Sequence, residues 1–261
     1  MMQSESVVLL MTSSMKNKRN LIFYVLSLVI WLGLWEILAR TISLSFIVPT
    51  VLQTFIALVK LVVTRSFYVT VLTSLLRVIL GFTFGTLLGI ALAIASYNFQ
   101  FSEIVLSPMI SILRATPVAS FIMILWFLLG GGKIPVVIAI LMVLPMVYQG
   151  MFDGLRSVDN SLKEVATIFK LSFLKKIKLL YFPSLLKVLL PTIITASGLA
   201  WKAGVAAEII TYTRNSIGAS ISDAKNSFEG PEMFAWTIVV IFISIMLELL
   251  MRKGLRRIRE I

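Results

Sequence analysis

"SLKEVATIFKLSFLKKIKLLYFPSLLKVLLP", residues 161–191, places six lysines between two long apolar runs of the chain. The 261 residues are 59% hydrophobic and only 14% charged, and their mean hydropathy is +0.99. A soluble domain of this length needs far more charge on its surface. The composition therefore predicts an integral membrane protein, in which the quoted stretch is a basic loop between membrane-spanning segments.

The residue types exclude several kinds of function. The chain has no Cys and no His, which removes the usual ligands of zinc, haem and iron–sulfur sites and the commonest general base. We therefore expect no catalytic residue and no metal site. A net charge of +12 could suggest nucleic-acid binding. The basic residues lie between apolar runs rather than on a soluble face, so they indicate orientation in a bilayer and no nucleic-acid partner.

Six apolar runs are long enough to cross a membrane, which takes roughly 20 residues of helix. They are residues 21–39, 69–97, 105–129, 134–151, 188–212 and 234–251. Arg114 and Pro117 in the third run, and Pro145 in the fourth, could split or kink these spans. The amphipathic stretch 49–66 predicts a helix that lies along the outer face rather than a seventh span.

The distribution of Lys and Arg predicts the orientation. Fifteen of them lie in the N-terminal flank, in residues 156–187 and in residues 252–259, against six on the opposite side. Cytoplasmic loops of membrane proteins carry such an excess. We therefore predict that both termini face the cytoplasm. Residues 1–20 form a cytoplasmic segment, residues 21–251 a transmembrane domain with a loop at about 155–187, and residues 252–261 a basic tail.

The basic stretch has the pattern of two short helices. Ser161 followed by Glu164 is a capping box, which predicts a helix from Ser161 to about Phe169. Ser172 can cap a second helix, which has apolar residues on one side and lysines on the other. Prolines are expected to interrupt this second helix, at Pro183 and Pro191. The pattern predicts a helix–turn–helix with an exposed apolar edge, and a plain basic loop is the alternative.

The stretch resembles the EAA loop of permeases of binding-protein-dependent ABC importers. The residues that carry the resemblance are Glu164, Val165 and Ala166, then Leu171 and Ser172 after the turn, and Pro183. The segments "LWEILARTISLSFIVPTVLQTF", "SLLRVILGFTFGTLLGIALA", "LRATPVASFIMILWFLLGGGKIP" and "SGLAWKAGVAAEII" are similar to successive landmarks of the nitrate/sulfonate/taurine branch. Lys170 departs from the family, which usually has glycine there, and a left-handed lysine costs about 1 kcal/mol. The turn either accepts this cost or differs in geometry.

The resemblance implies an all-α polytopic fold with six transmembrane helices, the type I ABC importer permease architecture, and a cytoplasmic coupling helix. It implies a homodimer in a prokaryotic cell membrane, with two copies of an ATPase subunit that holds ATP–Mg and an external solute-binding protein. The implied solute is a small anion such as nitrate, a sulfonate or taurine, or a small aromatic or pyrimidine-type compound. An ion-coupled secondary transporter is the alternative, although it would more naturally show paired buried carboxylates and inverted repeats.

The resemblance also implies which residues couple the chain to the ATPase. Glu164 would hold the cap, Ala166 would allow close approach of the ATPase, and apolar side chains of the second helix would fill its groove. The full set is Glu164, Val165, Ala166, Lys170, Leu171, Ser172, Phe173, Leu174, Ile177 and Pro183.

Ionisable residues within the spans are the candidates for a translocation path. Each costs roughly 2.5 to 3.5 kcal/mol at the centre of the bilayer, so such residues usually face the bundle interior or a water-filled path. Arg114 could line the path or bind carbonyl groups freed by Pro117. Lys202 could line the path or form an ion pair with Glu36 or Glu208. Glu208 is itself a candidate path residue.

Three glycines in the second span recur at a spacing of four residues: Gly81, Gly85 and Gly89. A ridge without side chains lets another helix approach closely. We expect a tight helix contact there, and a moving contact is the less favoured alternative.

Overall fold

The computed structural model describes residues 22, 23 and 25–259, with side chains described up to Gly254. The predicted cytoplasmic segment 1–20 lies outside the described residues. All regular structure in the described part is helical, which confirms the predicted fold class. The described residues form two compact units. One comprises the chain up to Leu61 together with Ala224–Ala235, and the other comprises Val62–Asp223 together with the chain from Trp236 onward.

The first unit contains two helices near its N-terminal end, α1 (Val25–Ile42) and α2 (Val51–Val62). The carboxylate of Glu36 on α1 accepts a hydrogen bond of 2.8 Å from Nε of Arg40 and one of 3.0 Å from the backbone N–H of Val51. A carboxylate at the start of a helix satisfies a backbone donor that has no partner within the helix. Glu36 therefore fixes where α2 begins.

The second unit contains most of the chain. Its elements are α3 (Arg65–Asn98), α4 (Gln100–Ala115), α5 (Val118–Leu129), a 3₁₀ turn (Gly131–Lys133), α6 (Ile134–Arg156), α7 (Asn160–Ile168), α8 (Phe173–Lys176), a π-helical turn (Ile177–Tyr181) and α9 (Phe182–Thr211). Two further helices, α10 (Ile217–Asn226) and α11 (Gly230–Arg259), contribute residues to both units. The residues predicted as a basic tail from 252 continue α11 up to Arg259.

Five helical segments among the described residues are long and apolar enough to cross a membrane. They are Val25–Ile42, Arg65–Asn98, Gly131–Arg156, Phe173–Thr211 and Gly230–Gly254. The predicted third span is instead a pair of helices, α4 and α5, that meet at an angle of 103°. Six spans result only if this pair counts as one. The break lies at Thr116 and Pro117, because proline cannot donate the next helical hydrogen bond and forces the residue before it into an extended conformation.

The helices α3, α6 and α9 pack closely along rows of small residues. The three glycines of α3 are all buried: Gly81, Gly85 and Gly89. A Cβ added at Gly81 would lie 2.5 Å from Cβ of Ala139 on α6, and one added at Gly85 would lie 2.9 Å from Cβ of Val143. On the other side of α6, a Cβ at Gly150 would lie 2.7 Å from Oγ1 of Thr192 on α9. These contacts allow the three backbones to approach more closely than larger side chains would permit.

Candidate functional site

The predicted coupling loop begins with a helix cap that differs from the expected one. Asp159 is the N-cap of α7, and its Oδ1 accepts the backbone N–H of Ser161 at 2.9 Å. Hydrogen bonds from the side chain and the backbone N–H of Ser161 lower the pKa of Asp159. The prediction of a capping box with Ser161 at the N-cap and Glu164 as its partner is therefore wrong. Asp is among the strongest N-cap residues, and it precedes the serine in the chain.

The turn after α7 is a Schellman motif with a lysine in the left-handed position. Lys170 has φ of +49°. Its N–H donates to the carbonyl of Thr167 at 3.0 Å, and the N–H of Leu171 donates to the carbonyl of Ala166 at 3.0 Å. These two bonds satisfy carbonyl groups at the end of the helix, as glycine-containing turns of this kind do. The loop keeps the geometry of a glycine turn and accepts the cost of a left-handed lysine.

The second short helix continues into α9 without a break. Ser172 lies at the N-cap of α8, as predicted, although its side chain donates no capping bond and accepts none. Helical structure then runs from Phe173 to Thr211. The expected interruption at Pro183 and Pro191 is wrong. Pro183 follows closely after the π-helical turn, in which the hydrogen-bond register shifts, so the helix continues past this proline.

The loop presents a cluster of exposed apolar side chains. We define the coupling surface as the four most exposed of them: Ile168 (76% exposed), Phe169 (72%), Phe173 (76%) and Leu174 (76%). Val165 and Ile177 extend it with smaller exposure. Ala166 is only 1% exposed and packs within the loop, and its role in close approach of the ATPase stays a prediction. Glu164 is exposed and accessible to a partner.

Arg114 lies in an open cleft of about 340 Å³ between α4, α6 and α9. Its Nη1 donates to Oε1 of Gln149 at 3.4 Å, and Nε2 of Gln149 donates to Oδ1 of Asp153 at 2.9 Å. Asp153 lines the same cleft. Arg114 therefore bonds a polar chain on α6, and the described contacts include no bond from it to the carbonyls next to Pro117.

Lys202 lies in a second cleft of about 320 Å³, between α6, α9 and α11. Met146 and Thr195 line both clefts, which are therefore adjacent. Glu248 and Arg252 also line the second cleft, and they pair with each other at 2.7 Å. Among the described residues, Lys202 has no carboxylate within 4.0 Å.

Glu208 is the centre of a buried polar cluster. It is fully buried, and its carboxylate accepts bonds from Oγ of Ser74 (2.8 Å), the N–H of Gly218 (3.3 Å) and Nη1 of Arg77 (3.4 Å). It lines neither of these two clefts, and its place in a translocation path stays a prediction. Its partner is Arg77 on α3, so the ion pair between Glu208 and Lys202 is not formed. Glu36, the other predicted partner of Lys202, is bonded within the first unit.

Four residues of these sites were missed by the reading of the sequence. They are Arg77, Gln149, Asp153 and Asp159. Arg77 carried a signal, because a charge inside a span needs a partner. Gln149 and Asp153 lie four residues apart and so share one face of α6. Asp159 has a residue type that is typical of helix caps, but Ser161, two positions later, is also a typical cap residue.

Comparisons with known proteins identify relatives of this chain by sequence and by fold. The chain is 28% identical over 214 residues to SsuC of Bacillus subtilis (strain 168), a permease protein named for the transport of aliphatic sulfonates, and the match covers 80% of this chain and 76% of that protein. Two solved structures share the fold, each with a TM-score of 0.59. Inward-facing MetNI, a methionine ABC transporter, matches at 12% identity over 70% of this chain and 92% of its own. An amino acid ABC transporter crystallised with histidines matches at 17% identity over 75% and 93%.

The family assignment follows from a match over residues 85–260 to the family described as "Binding-protein-dependent transport system inner membrane component". This range holds α6, α9 and the second half of α3, together with both clefts and the coupling surface. The resemblance that the basic stretch indicated is thereby confirmed. Since the match covers more than half of the chain, the chain belongs to the family of inner membrane components of binding-protein-dependent transport systems.

Proposed function

We propose that this chain is the membrane-spanning subunit of an ATP-driven ABC importer. It works as a homodimer with two copies of a cytoplasmic ATPase subunit and with an external solute-binding protein. ATP–Mg is bound and hydrolysed on the ATPase subunit, and this chain supplies the path. Membership in the family supports this assignment. The excess of Lys and Arg in residues 156–187 and 252–259 supports a cell-membrane location with both termini in the cytoplasm.

The coupling surface is the observation that carries the proposal. Its four side chains are each more than 70% exposed. Ile168 and Phe169 lie outside the segments that are long and apolar enough to span the membrane, and Phe173 and Leu174 are the first two residues of such a segment. Clustered apolar side chains exposed at the end of a basic loop favour a protein partner. A groove on an ATPase subunit suits both the apolar cluster and the exposed carboxylate of Glu164.

The loop has the rigidity that coupling requires. The cap at Asp159 and the Schellman turn at Lys170 fix α7, and the helix from Phe173 to Thr211 joins the coupling surface directly to α9. A displacement of the coupling surface therefore moves α9 rather than being absorbed by a flexible link. In the proposed cycle the ATPase dimer closes on ATP, and the two permease chains rock between inward-open and outward-open states.

One exposed face of α9 is the proposed wall of the translocation path. It carries Pro191, Thr195, Gly198 and Lys202, spaced by three or four residues. The exposed face of α3 is instead apolar, with Leu72, Leu76, Ile79, Leu80 and Phe84. An apolar face suits lipid, whereas a face with a charge and small polar residues suits a water-filled path. The second chain of the dimer would complete this path, and Arg114 lies in the adjoining cleft.

The proposed solute is a small aliphatic sulfonate or a related small anion. The likeness to SsuC supports a sulfonate. Small aromatic or pyrimidine-type compounds are the competing class.

Site-directed cross-linking tests the coupling to an ATPase. The chain has no native Cys, so single cysteines report single positions. Phe173→Cys should cross-link to the co-expressed ATPase subunit through a short bifunctional reagent. Phe228→Cys is the matched control, because Phe228 is a similarly exposed phenylalanine (72%) that the charge distribution predicts to lie on the outer side. No cross-link from Phe173→Cys, or equal cross-linking from both variants, would refute the proposed contact.

A further inference from the structure

We propose that Lys202 recognises the charge of the transported solute, so that the solute carries an anionic oxygen group such as a sulfonate or a carboxylate. The inference rests on the proposed function, because it takes the face of α9 that carries Lys202 as a wall of the path. It goes beyond that proposal by assigning the recognition of the negative charge of the solute to one residue of this chain.

In the part of the chain that the structure describes, the predicted partner Glu208 and the cleft residue Glu248 each have another partner. Glu208 is bonded to Arg77, Ser74 and Gly218. Glu248 lines the same cleft as Lys202 but pairs with Arg252 at 2.7 Å. Two cations and one anion therefore line this cleft, and its net charge is positive.

Lys202 lies within α9, away from the end at Thr211. It stands nine residues before Thr211, which is about 14 Å at a rise of about 1.5 Å per residue. Helical side chains point back toward the N-terminus, so this lysine points away from the nearer end of α9. The residues that line its cleft from α9 all precede it in the chain: Ile194, Thr195, Gly198 and Leu199.

An unpaired ammonium group on a membrane-spanning helix is stable only if water or an anion reaches it. The cleft is open and supplies the space. An oxyanion that passes along α9 would accept hydrogen bonds from Nζ of Lys202, and charge-assisted bonds of this kind are about twice as strong as neutral ones. A neutral solute would gain no such bond, and a cation would be repelled.

The local potential can be measured on this chain alone. Gly198→Cys lies one turn from Lys202, and a Cβ at Gly198 meets nothing within 4 Å. In intact membranes its thiol is labelled with two methanethiosulfonate reagents of similar size, the anionic sulfonatoethyl and the cationic trimethylammonioethyl compound. The labelling rate of the anionic reagent is divided by that of the cationic reagent, and this ratio is normalised to the same ratio for a free thiol. Adding Lys202→Met should lower the ratio by about fivefold or more, as expected for a unit charge roughly 6 Å away in a wet site.

Two control variants separate charge from other effects. Lys202→Arg should keep the ratio within about twofold, because it keeps the charge. Lys60→Met on α2 removes an equal charge elsewhere and should also leave the ratio unchanged. A ratio that does not respond to Lys202→Met overturns the inference and leaves the proposed path intact. A thiol at position 198 that neither reagent labels overturns the path as well.

Uptake tests the charge of the solute in the assembled importer. Proteoliposomes with the ATPase and binding-protein subunits are supplied with ethanesulfonate or with neutral ethyl methyl sulfone. We expect uptake of the anion only, reduced at least about tenfold by Lys202→Met and retained by Lys202→Arg. Uptake of the neutral sulfone alone, or normal anion uptake by Lys202→Met, overturns the inference. If neither compound is taken up in the presence of ATP, the result counts against the anionic solute class. The labelling ratio reports the role of Lys202 independently of uptake.

Discussion

The ion pair between Arg77 and Glu208 allows the most quantitative prediction. The two side chains are 20% and 0% exposed, and Nη1 of Arg77 lies 3.4 Å from Oε1 of Glu208. At this separation and an effective dielectric constant of about 20, their attraction is about 5 kcal/mol. Arg77→Met removes this attraction and leaves a buried carboxylate with only Ser74 and Gly218. Because part of the arginine is exposed, we expect the free energy of unfolding to fall by about 3 kcal/mol.

The double variant tests the physical cause. Glu208→Gln keeps acceptors for Ser74 and Gly218, so alone it should cost about 1 to 2 kcal/mol. Arg77→Met combined with Glu208→Gln should recover at least about 1.5 kcal/mol relative to additivity, because no buried charge is left unpaired. The assay is reversible unfolding in mixed micelles, followed by helical circular dichroism. Lys202→Met combined with Glu208→Gln is the control, and it should be additive within about 0.5 kcal/mol. Additivity for the Arg77 pair, or strong coupling for the Lys202 pair, would refute the assignment of partners.

Other variants test the packing and the loop. Gly85→Ala should destabilise the protein by about 1 to 3 kcal/mol, because the new Cβ would lie 3.0 Å from a backbone carbonyl oxygen of α6. Gly198→Ala should be neutral or stabilising by up to about 1 kcal/mol, because the new Cβ meets open space and alanine is a better helix former than glycine. Thermal unfolding of both variants checks these opposite signs. Asp159→Ala should destabilise α7, which faster amide hydrogen exchange in the loop would show. Because the pKa of Asp159 is lowered in the folded protein, its contribution to the stability of α7 is complete above the ordinary pKa of about 3.9 and is lost as the pH falls through the lower folded value. Asp159→Asn should show no such dependence on pH. A cap that weakens between pH 5 and 7 would contradict this. Phe173→Ala should change the free energy of unfolding by less than about 0.5 kcal/mol and still reduce co-purification of the ATPase, because Phe173 is exposed.

Hydrophobicity was sufficient to predict the fold class and the approximate positions of the spans. Each long apolar run corresponds to helical structure, because a bilayer leaves a chain no other way to satisfy its backbone groups except a closed barrel. The directions of the helices could not be predicted in the same way. The angle of 103° between α4 and α5 depends on how Thr116 and Pro117 are held by their neighbours, and apolar counts carry no such information.

The site residues were predictable where the interaction is local. A turn at Lys170 was expected from positions within one loop with its geometry left open, and the structure contains it in the left-handed form. The partner of Glu208 could not be found in this way. Ser74 and Arg77 are 134 and 131 residues away along the chain, and the predicted partner of Glu208 was Lys202 on the same helix instead. The assignment of the cap of α7 to Ser161 failed for a smaller reason, because Asp159 is an equally strong cap residue and stands two positions earlier.

The central claim is that this chain moves its solute with energy from ATP through a partner that binds the coupling surface. The most direct test is uptake of ethanesulfonate into proteoliposomes that contain this chain with the ATPase and binding-protein subunits of its host. Ionophores remove every proton and sodium gradient. We predict uptake that requires internal ATP and the binding protein, is unaffected by the ionophores, and is lost in Phe173→Ala. Uptake that continues without ATP and follows an imposed proton or sodium gradient would contradict the account.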